Sequence, residues 1–351
     1  MTDPLGFNKV TCLTDSDTIV AVPFRPEGSV NTQLSGDPTV NGDYATLPLG
    51  GNLSLTAGEL AGDYYAKFTS GAKNGAFYPV TANDTDSLTI DLNGDNLAGA
   101  ATGDSLVIAK YWTLDALFPP DQATTAWTET PVGSGNWVPD GHAIVASESV
   151  FPSGRRTEIL LPDTDGSGIN LATTSSFYIY NDGWRQQGEP ANDNFGSFQF
   201  QPDNYLVIRH PESVDHSTKL RTAGEVELQS TRIPLQTRVA GKQDNFIGLL
   251  RPVDVTLDEL SLGGTAAFVS TVSPFPSGRR DQILLFDNSR QAQNKSPIVT
   301  YYFYNGAWRR QGQDISIDFG GDVISAGTGF MIRKYQTAGG ETALWINTPN
   351  Y

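Results

Sequence analysis

FPSGRRTEILL fills residues 151–161, and FPSGRRDQILL fills residues 275–285. The shift between them is 124 positions, and it persists outward. NDGWRQQG (181–188) meets NGAWRRQG (305–312), Tyr178 and Tyr180 meet Tyr302 and Tyr304, and Ile208 and Arg209 meet Ile332 and Arg333. A gapless register of this length marks an internal duplication. With gaps the match goes further. TLDAL (113–117) corresponds to TLDEL (256–260), and Thr222-Ala223-Gly224 to Thr337-Ala338-Gly339, the first copy carrying extra residues within 211–219. Before TLDEL stands NFIGLLRP (245–252), whose counterpart TIVAVPFRP (18–26) is separated from TLDAL by a long interruption. The sequence thus predicts three parts: one β repeat unit from residues 1–26 plus 112–235, an inserted module at 27–111, and a second repeat unit at 236–351. Insertion after a strand is tolerated because closure entropy rises slowly with loop length.

Composition points the same way. Charged residues are 18% of the 351, below the usual quarter, while 36 Gly and 21 Pro favour many short strands joined by turns. A net charge of −16 leaves little cationic surface for phosphates, so no nucleic-acid partner is expected. Residues 1–120 hold 14 acidic and 5 basic side chains. The single cysteine, Cys12, excludes an internal disulfide and reads as a buried thiol in an apolar-alternating stretch. No apolar run is long enough for a membrane span. The opening MTDPLGF reads as a mature segment behind an added Met, with a signal peptide removed.

In the inserted module, DYYAKFT (63–69), GAFYPVT (75–81), SLTIDL (87–92) and SLVIAK (105–110) are aromatic and β-branched runs separated by turn residues, as in a small barrel. In the repeats, strands are expected at 144–150, 157–161, 176–181 and 205–209, and at 268–272, 282–286, 299–305 and 329–333. TLDAL and TLDEL each suit one helical turn with a threonine N-cap. The predicted fold class is mostly β: two tandem copies of a β-sandwich- or barrel-like unit, the first interrupted by a small barrel-like module.

Within the hexapeptide, Pro152-Ser153-Gly154 reads as a turn in which Pro presets the backbone and Gly accepts a positive φ, with Phe151 packed beneath. Arg155 and Arg156, like Arg279 and Arg280, are expected to alternate across the following strand. Their expected partners are Tyr180, Trp184 and Arg185 in the first copy, and Tyr304, Trp308 and Arg309 in the second, with arginine stacked on tryptophan as a clamp. The same residues offer an alternative, an aromatic platform for a sugar or an anionic group. Asn181-Asp182-Gly183 and Asn305-Gly306-Ala307 mark hairpin turns.

Catalytic signatures are missing: no G-x-S-x-G elbow, no H-E-x-x-H, and no inward pair of carboxylates for glycoside hydrolysis. Of His142, His210 and His216 only the last two are close in sequence, and no third metal ligand accompanies them. Asp163 and Asp165 open a stretch like the first half of a calcium loop, but Thr174 stands where the bidentate acid belongs and the second copy places Arg290 in the loop. Asp91, Asp95 and Asp104 form a second candidate set of oxygens. Calcium is therefore the one cofactor left open. The C-terminal WINTPNY (345–351) is apolar, and Trp345, Ile346 and Tyr351 are expected in a strand that docks within the chain or onto a neighbour.

YYAKFTSG (64–71), NGAFYPVTAND (74–84), LTIDLNGDNLAG (88–99) and GDSLVIAKYWTLDALFP (103–119), with TDPLGF (2–7) and SDTIVAVPF (16–24), resemble an uncharacterised family of paralogous, signal-bearing exported β-rich proteins of verrucomicrobial bacteria. The resemblance is strongest over residues 2–118 and extends to the FPSGR and W-R-x-x-G segments. It implies export and points to no catalytic residue. Taken together, these readings predict a non-enzymatic, exported structural protein on or outside the cell that self-associates into a filament, sheet or matrix. Binding of surface glycans through the Trp/Arg platforms is the first alternative, and a hydrolase of unknown type the second.

Overall fold

The computed structural model describes residues 4–51, 53, 55–122 and 143–351. The fold is mostly β, with 38% strand and 4% helix in several antiparallel sheets. The chain forms two compact units. One comprises Met1–Phe24, Trp112–Val226 and Pro234–Ala343, the other Arg25–Tyr111, Glu227–Ile233 and Leu344–Tyr351.

The first unit holds two five-stranded sheets. One runs in the order Gly183–Gln186, Thr173–Tyr180, Glu158–Pro162, Leu206–His210, Ser16–Val20. The other runs Ala307–Arg310, Val299–Tyr304, Gln282–Leu285, Phe330–Lys334, Gln243–Ile247. The two orders are the same, and the registers agree residue by residue. Glu158 faces Arg209 as Gln282 faces Arg333, and Ile179 faces Trp184 as Phe303 faces Trp308. Both hairpins turn through two left-handed residues, Asn181 and Asp182 in one, Asn305 and Gly306 in the other. This turn type matches the right-handed twist of the strands it joins.

Two expected strands are not strands. At 144–150 only Val145 forms an isolated bridge, and 268–272 is irregular. Their backbone groups are satisfied by side chains and by single backbone contacts, with Ser147 N–H on the Ile179 carbonyl and Thr271 N–H on that of Phe303, both at 2.8 Å. Val145 N–H donates to Thr157 Oγ1 at 2.9 Å, and Val269 N–H to Asp281 Oδ2 at 2.6 Å. Burial alone, without a ladder, explains the apolar character of Ala143 to Ala146. The helical turns follow their caps: Thr113 Oγ1 accepts from Ala116 N–H, and Thr256 with Glu259 forms a reciprocal capping box.

Ser16–Val20 and Gln243–Ile247 end their sheets, yet neither edge is open. Loop 287–294 of the second copy lies along Ser16–Val20, and loop 163–170 of the first lies along Gln243–Ile247. Asp17 N–H donates to the Ala292 carbonyl at 2.9 Å, and Asp244 N–H to that of Gly168 at 2.8 Å. Asn294 N–H donates to Asp17 Oδ2 at 2.7 Å, and Asn170 N–H to Asp244 Oδ2 at 2.8 Å. Arg209 forks onto Asp17 and also reaches Asn294 Oδ1, while Arg333 forks onto Asp244 and reaches Asn170 Oδ1. Each contact has its twin 124 residues away, or 227 away for the first strand, so the two copies meet as the halves of a two-fold dimer do. Asn170 and Asn294 both sit in the left-handed region, which asparagine tolerates better than most residues. Ile19, Tyr205, Phe246, Leu284 and Met331 form the apolar centre of this contact. A Cβ on Gly248 would overlap the Asn204 carbonyl. Gly248→Ala is therefore expected to cost about 1–3 kcal/mol by overpacking, read in equilibrium urea unfolding. An unchanged midpoint would contradict the close approach.

The second unit is a seven-stranded, curled half-barrel in the order Val30–Gln33, Ser105–Lys110, Tyr64–Phe68, Phe77–Asn83, Ser87–Asp91, Tyr44–Pro48, Thr39–Asn41. A bridge between Leu34 and Leu49 brings the first strand's end to the sixth. Phe68, Tyr78, Val80, Leu88, Ile90 and Ile108 are among the residues that fill the core. Residues 227–233 belong here through a buried ion pair: Lys67 Nζ lies 2.6 Å from Glu227 Oε2 and 2.8 Å from Thr231 Oγ1. Burial pushes the Lys67 ammonium below its usual range, and Glu227 works against that shift. The C-terminal strand Ala343–Asn347 pairs with Thr231–Leu235, inside the chain. Trp345 is buried, Ile346 faces outward, and Tyr351 OH donates to the Glu227 carbonyl at 2.7 Å. Among the described residues no helix is long and apolar enough to cross a membrane.

Candidate functional site: the paired FPSGRR turns

Residues 152–154 and 276–278 form single 3-10 turns, each entered from an extended phenylalanine with proline first. The glycine is needed for space and not for φ, which corrects the sequence expectation. A Cβ on Gly154 would overlap Ser149 Oγ, and one on Gly278 would overlap the Ser273 side chain. Those serines in turn accept the backbone N–H of Phe151 at 3.2 Å and of Phe275 at 3.4 Å.

The first arginine of each pair braces its turn. Arg155 Nε donates to the Val150 carbonyl at 3.2 Å, and Arg279 Nε to that of Pro274 at 3.1 Å. Each guanidinium lies over a tyrosine, Tyr178 at 4.6 Å and Tyr302 at 4.8 Å from the ring centroid. The expected arginine–tryptophan stack is therefore corrected to arginine on tyrosine. Trp184 and Trp308 are 0% and 1% exposed, core residues that cannot serve as open platforms. Phe195 N–H donates to the Trp184 carbonyl and Phe319 N–H to the Trp308 carbonyl, both at 3.0 Å. With Trp184 N–H on Asn194 Oδ1 and Trp308 N–H on Asp318 Oδ1, these segments cover the other flank of each five-stranded sheet. Arg185 and Arg309 brace the same segments, donating to the Asp193 and Ile317 carbonyls. Tyr180 and Tyr304 lie half-buried at the strand ends before the hairpins.

Phe151 and Phe275 break the expected pattern. The sequence placed them beneath the turn; they stand 70% and 71% exposed at its tip. The turn packs on its serine, and the first arginine after it lies over a tyrosine.

The two tips differ in charge. In the first copy Arg155 pairs with Glu158 and Arg156 with Glu148. The equivalent positions in the second copy are Gln282 and Val272. Arg279 donates to Gln311 Oε1 at 2.7 Å, Arg280 lies over the Tyr335 ring, and neither has a carboxylate partner among the described residues. Val272 is 61% exposed.

The other candidates are held by their own surroundings. Asp95 accepts from Lys73, Tyr78 and Asn96 N–H, Asp91 from Asn93 N–H, and Asp104 from Ala101 N–H. Asp163 and Asp165 lie in the 163–170 loop that caps the second copy. Among the described residues no group of three or more His, Cys, Asp or Glu is placed to hold a metal ion. Cys12 is buried, and burial pushes its thiol up to about 11. His210 is buried between Thr157 and Thr218, His216 sits beside Asp215, and His142 lies outside the described residues. Sequence reasoning missed the Asp17–Arg209–Asn294 and Asp244–Arg333–Asn170 sets, although the 124-residue shift links Asn170 to Asn294. The chain matches no protein-family model, no curated protein and no solved structure.

Proposed function

We propose that this chain is a non-catalytic structural protein of the cell exterior that self-associates through side-chain surfaces. It is built as two copies of one β unit, the first interrupted by a small β module. The shared strand order and register of the two five-stranded sheets support that construction. The resemblance of residues 2–118 to exported proteins supports the location.

The observation that carries the reading is the pair Phe151 and Phe275. Every other hexapeptide position is explained by the turn, or by its braces and ion pairs, while a large apolar side chain stands outward at the same place in both copies. Aromatic side chains, phenylalanine among them, are enriched at the cores of protein–protein contacts. Both flanks of both five-stranded sheets are covered, so strand addition there is closed, and the outward phenyl rings supply a side-chain route. The test is sedimentation velocity of the double variant Phe151→Ser/Phe275→Ser. Its mass should fall to that of the 37.8 kDa chain while the thermal midpoint stays put. Unchanged association, or a collapse of stability, would overturn the reading.

A further inference from the structure

We propose that the second FPSGRR tip docks on the β hairpin at residues 39–48 of another copy of this chain, so that association runs head to tail. This rests on the self-association proposed above and names its two surfaces.

The tip joins two features that the first copy's tip does not combine. It is apolar, with Val272 and Phe275 exposed 61% and 71%. It is also cationic, because Gln282 and Val272 replace the two acids that neutralise the first tip's arginines. Lys242 adds to it. Its Nζ donates to Gln282 Oε1 at 2.9 Å. In a chain of net charge −16, such a surface has to meet anionic groups.

The inserted module supplies them. From 27 to 111 it carries ten acidic and three basic residues. Two of the three bases are spoken for, Lys67 by Glu227 and Lys73 by Asp95. Residues 37–66 and 74–109 contain no Lys, Arg or His at all. Within that stretch, Thr39–Asn41 is the last strand of the sheet, three residues long and exposed throughout. In its partner Tyr44–Pro48, Tyr44 is 48% exposed and shares a face with Asn41 and Asp91, while Val40, 46% exposed, pairs with the buried Ala45 on the other face. Asp43 precedes Tyr44 at the turn, and Asp91 faces Tyr44 across the next strand. An exposed tyrosine beside two carboxylates thus complements an apolar tip beside two arginines that have no carboxylate partner among the described residues. A tip on one molecule and a hairpin on another are different surfaces, so the contact is heterologous and repeats from copy to copy.

The test is light scattering of the full chain at rising concentration, in low and in high sodium chloride, with Arg280→Glu, Asp43→Lys and their equimolar mixture. Wild type should gain mass with concentration and lose it in high salt, where charge attraction is screened. Each variant alone should associate about tenfold more weakly or worse. The mixture should regain mass, because each variant supplies the surface that the other lacks. Thermal melts within a few degrees of wild type, on the order expected for surface changes, confirm that both variants fold. Association that persists in both variants, or a mixture that stays monomeric, overturns the docking while leaving self-association intact. A wild type that is monomeric throughout overturns both.

Discussion

Asp281→Thr is expected to lower the stability of the chain by about 3–5 kcal/mol, the cost of leaving one member of a buried ion pair alone. Asp281 and Lys334 are 0% and 1% exposed and bonded to each other, with Lys334 Nζ also on the Ala267 carbonyl at 2.5 Å. Burial pushes the Asp281 carboxyl up, and Lys334 works against that shift. Removing the carboxylate strands the ammonium. The duplication also contains the remedy. In the first copy the same two positions are Thr157 and His210, hydrogen-bonded at 2.9 Å, with the other ring nitrogen 2.8 Å from Thr218 Oγ1. Burial holds His210 down to about 4, so the pair is neutral at pH 7. The double variant Asp281→Thr/Lys334→His transplants that neutral pair. It should recover more than half of the single variant's loss in urea unfolding at pH 7, a strong departure from additivity. A double variant no more stable than Asp281→Thr would contradict the equivalence of the two sites.

Asp203→Asn is expected to stabilise the chain at pH 7.5 and to leave it unchanged below pH 4. Asp203 is buried where the two copies meet, its backbone carbonyl accepting Gly248 N–H at 2.7 Å. Burial raises its carboxyl from 3.8 to about 6. Between those values the folded chain keeps a proton that the unfolded chain has lost. Stability from this group is therefore full below pH 3.8 and falls as pH rises through 6, by about 3 kcal/mol in all. Asparagine does not ionise, so the variant escapes the fall. Thermal midpoints across pH 3.5 to 8 should converge at the acid end and separate above pH 6. Parallel curves would show that Asp203 ionises freely in the fold.

The duplication was legible because FPSGRR, the W-R-x-x-G segments and the strand cores keep one register. Four strands of the module were legible too, since YYAKF, FYPVTAN, SLTID and SLVIAK are rich in aromatic and β-branched residues. Of the module's other three strands, Val30–Gln33 and Thr39–Asn41 are short, mostly polar and largely exposed, so their composition is that of a loop, while Tyr44–Pro48 alternates with Ala45 and Leu47 buried but is only five residues long and ends in proline. The irregular 144–150 and 268–272 segments failed in the opposite way: apolar burial resembles a strand even where no regular ladder forms and backbone groups bond to the Thr157 and Asp281 side chains and to single carbonyls. The reciprocal loop exchange was hidden because 163–170 and 287–294 share no letters beyond Asp163/Asp287 and Asn170/Asn294. Arg155 and Arg279 lie over tyrosine where the sequence put them on tryptophan. Tyr178 and Tyr302 stand across the strand pair from Arg185 and Arg309, a geometry that one-dimensional spacing does not carry. The exposure of Phe151 and Phe275 was the least legible feature, because phenylalanine next to a turn ordinarily packs beneath it.

The most direct test of self-association is the mass of the purified wild-type chain by light scattering across a wide concentration range, with negative-stain images of the same samples. The account predicts particles that grow with concentration beyond 37.8 kDa and repeat along a line or sheet. A single species of 37.8 kDa at every concentration would contradict it.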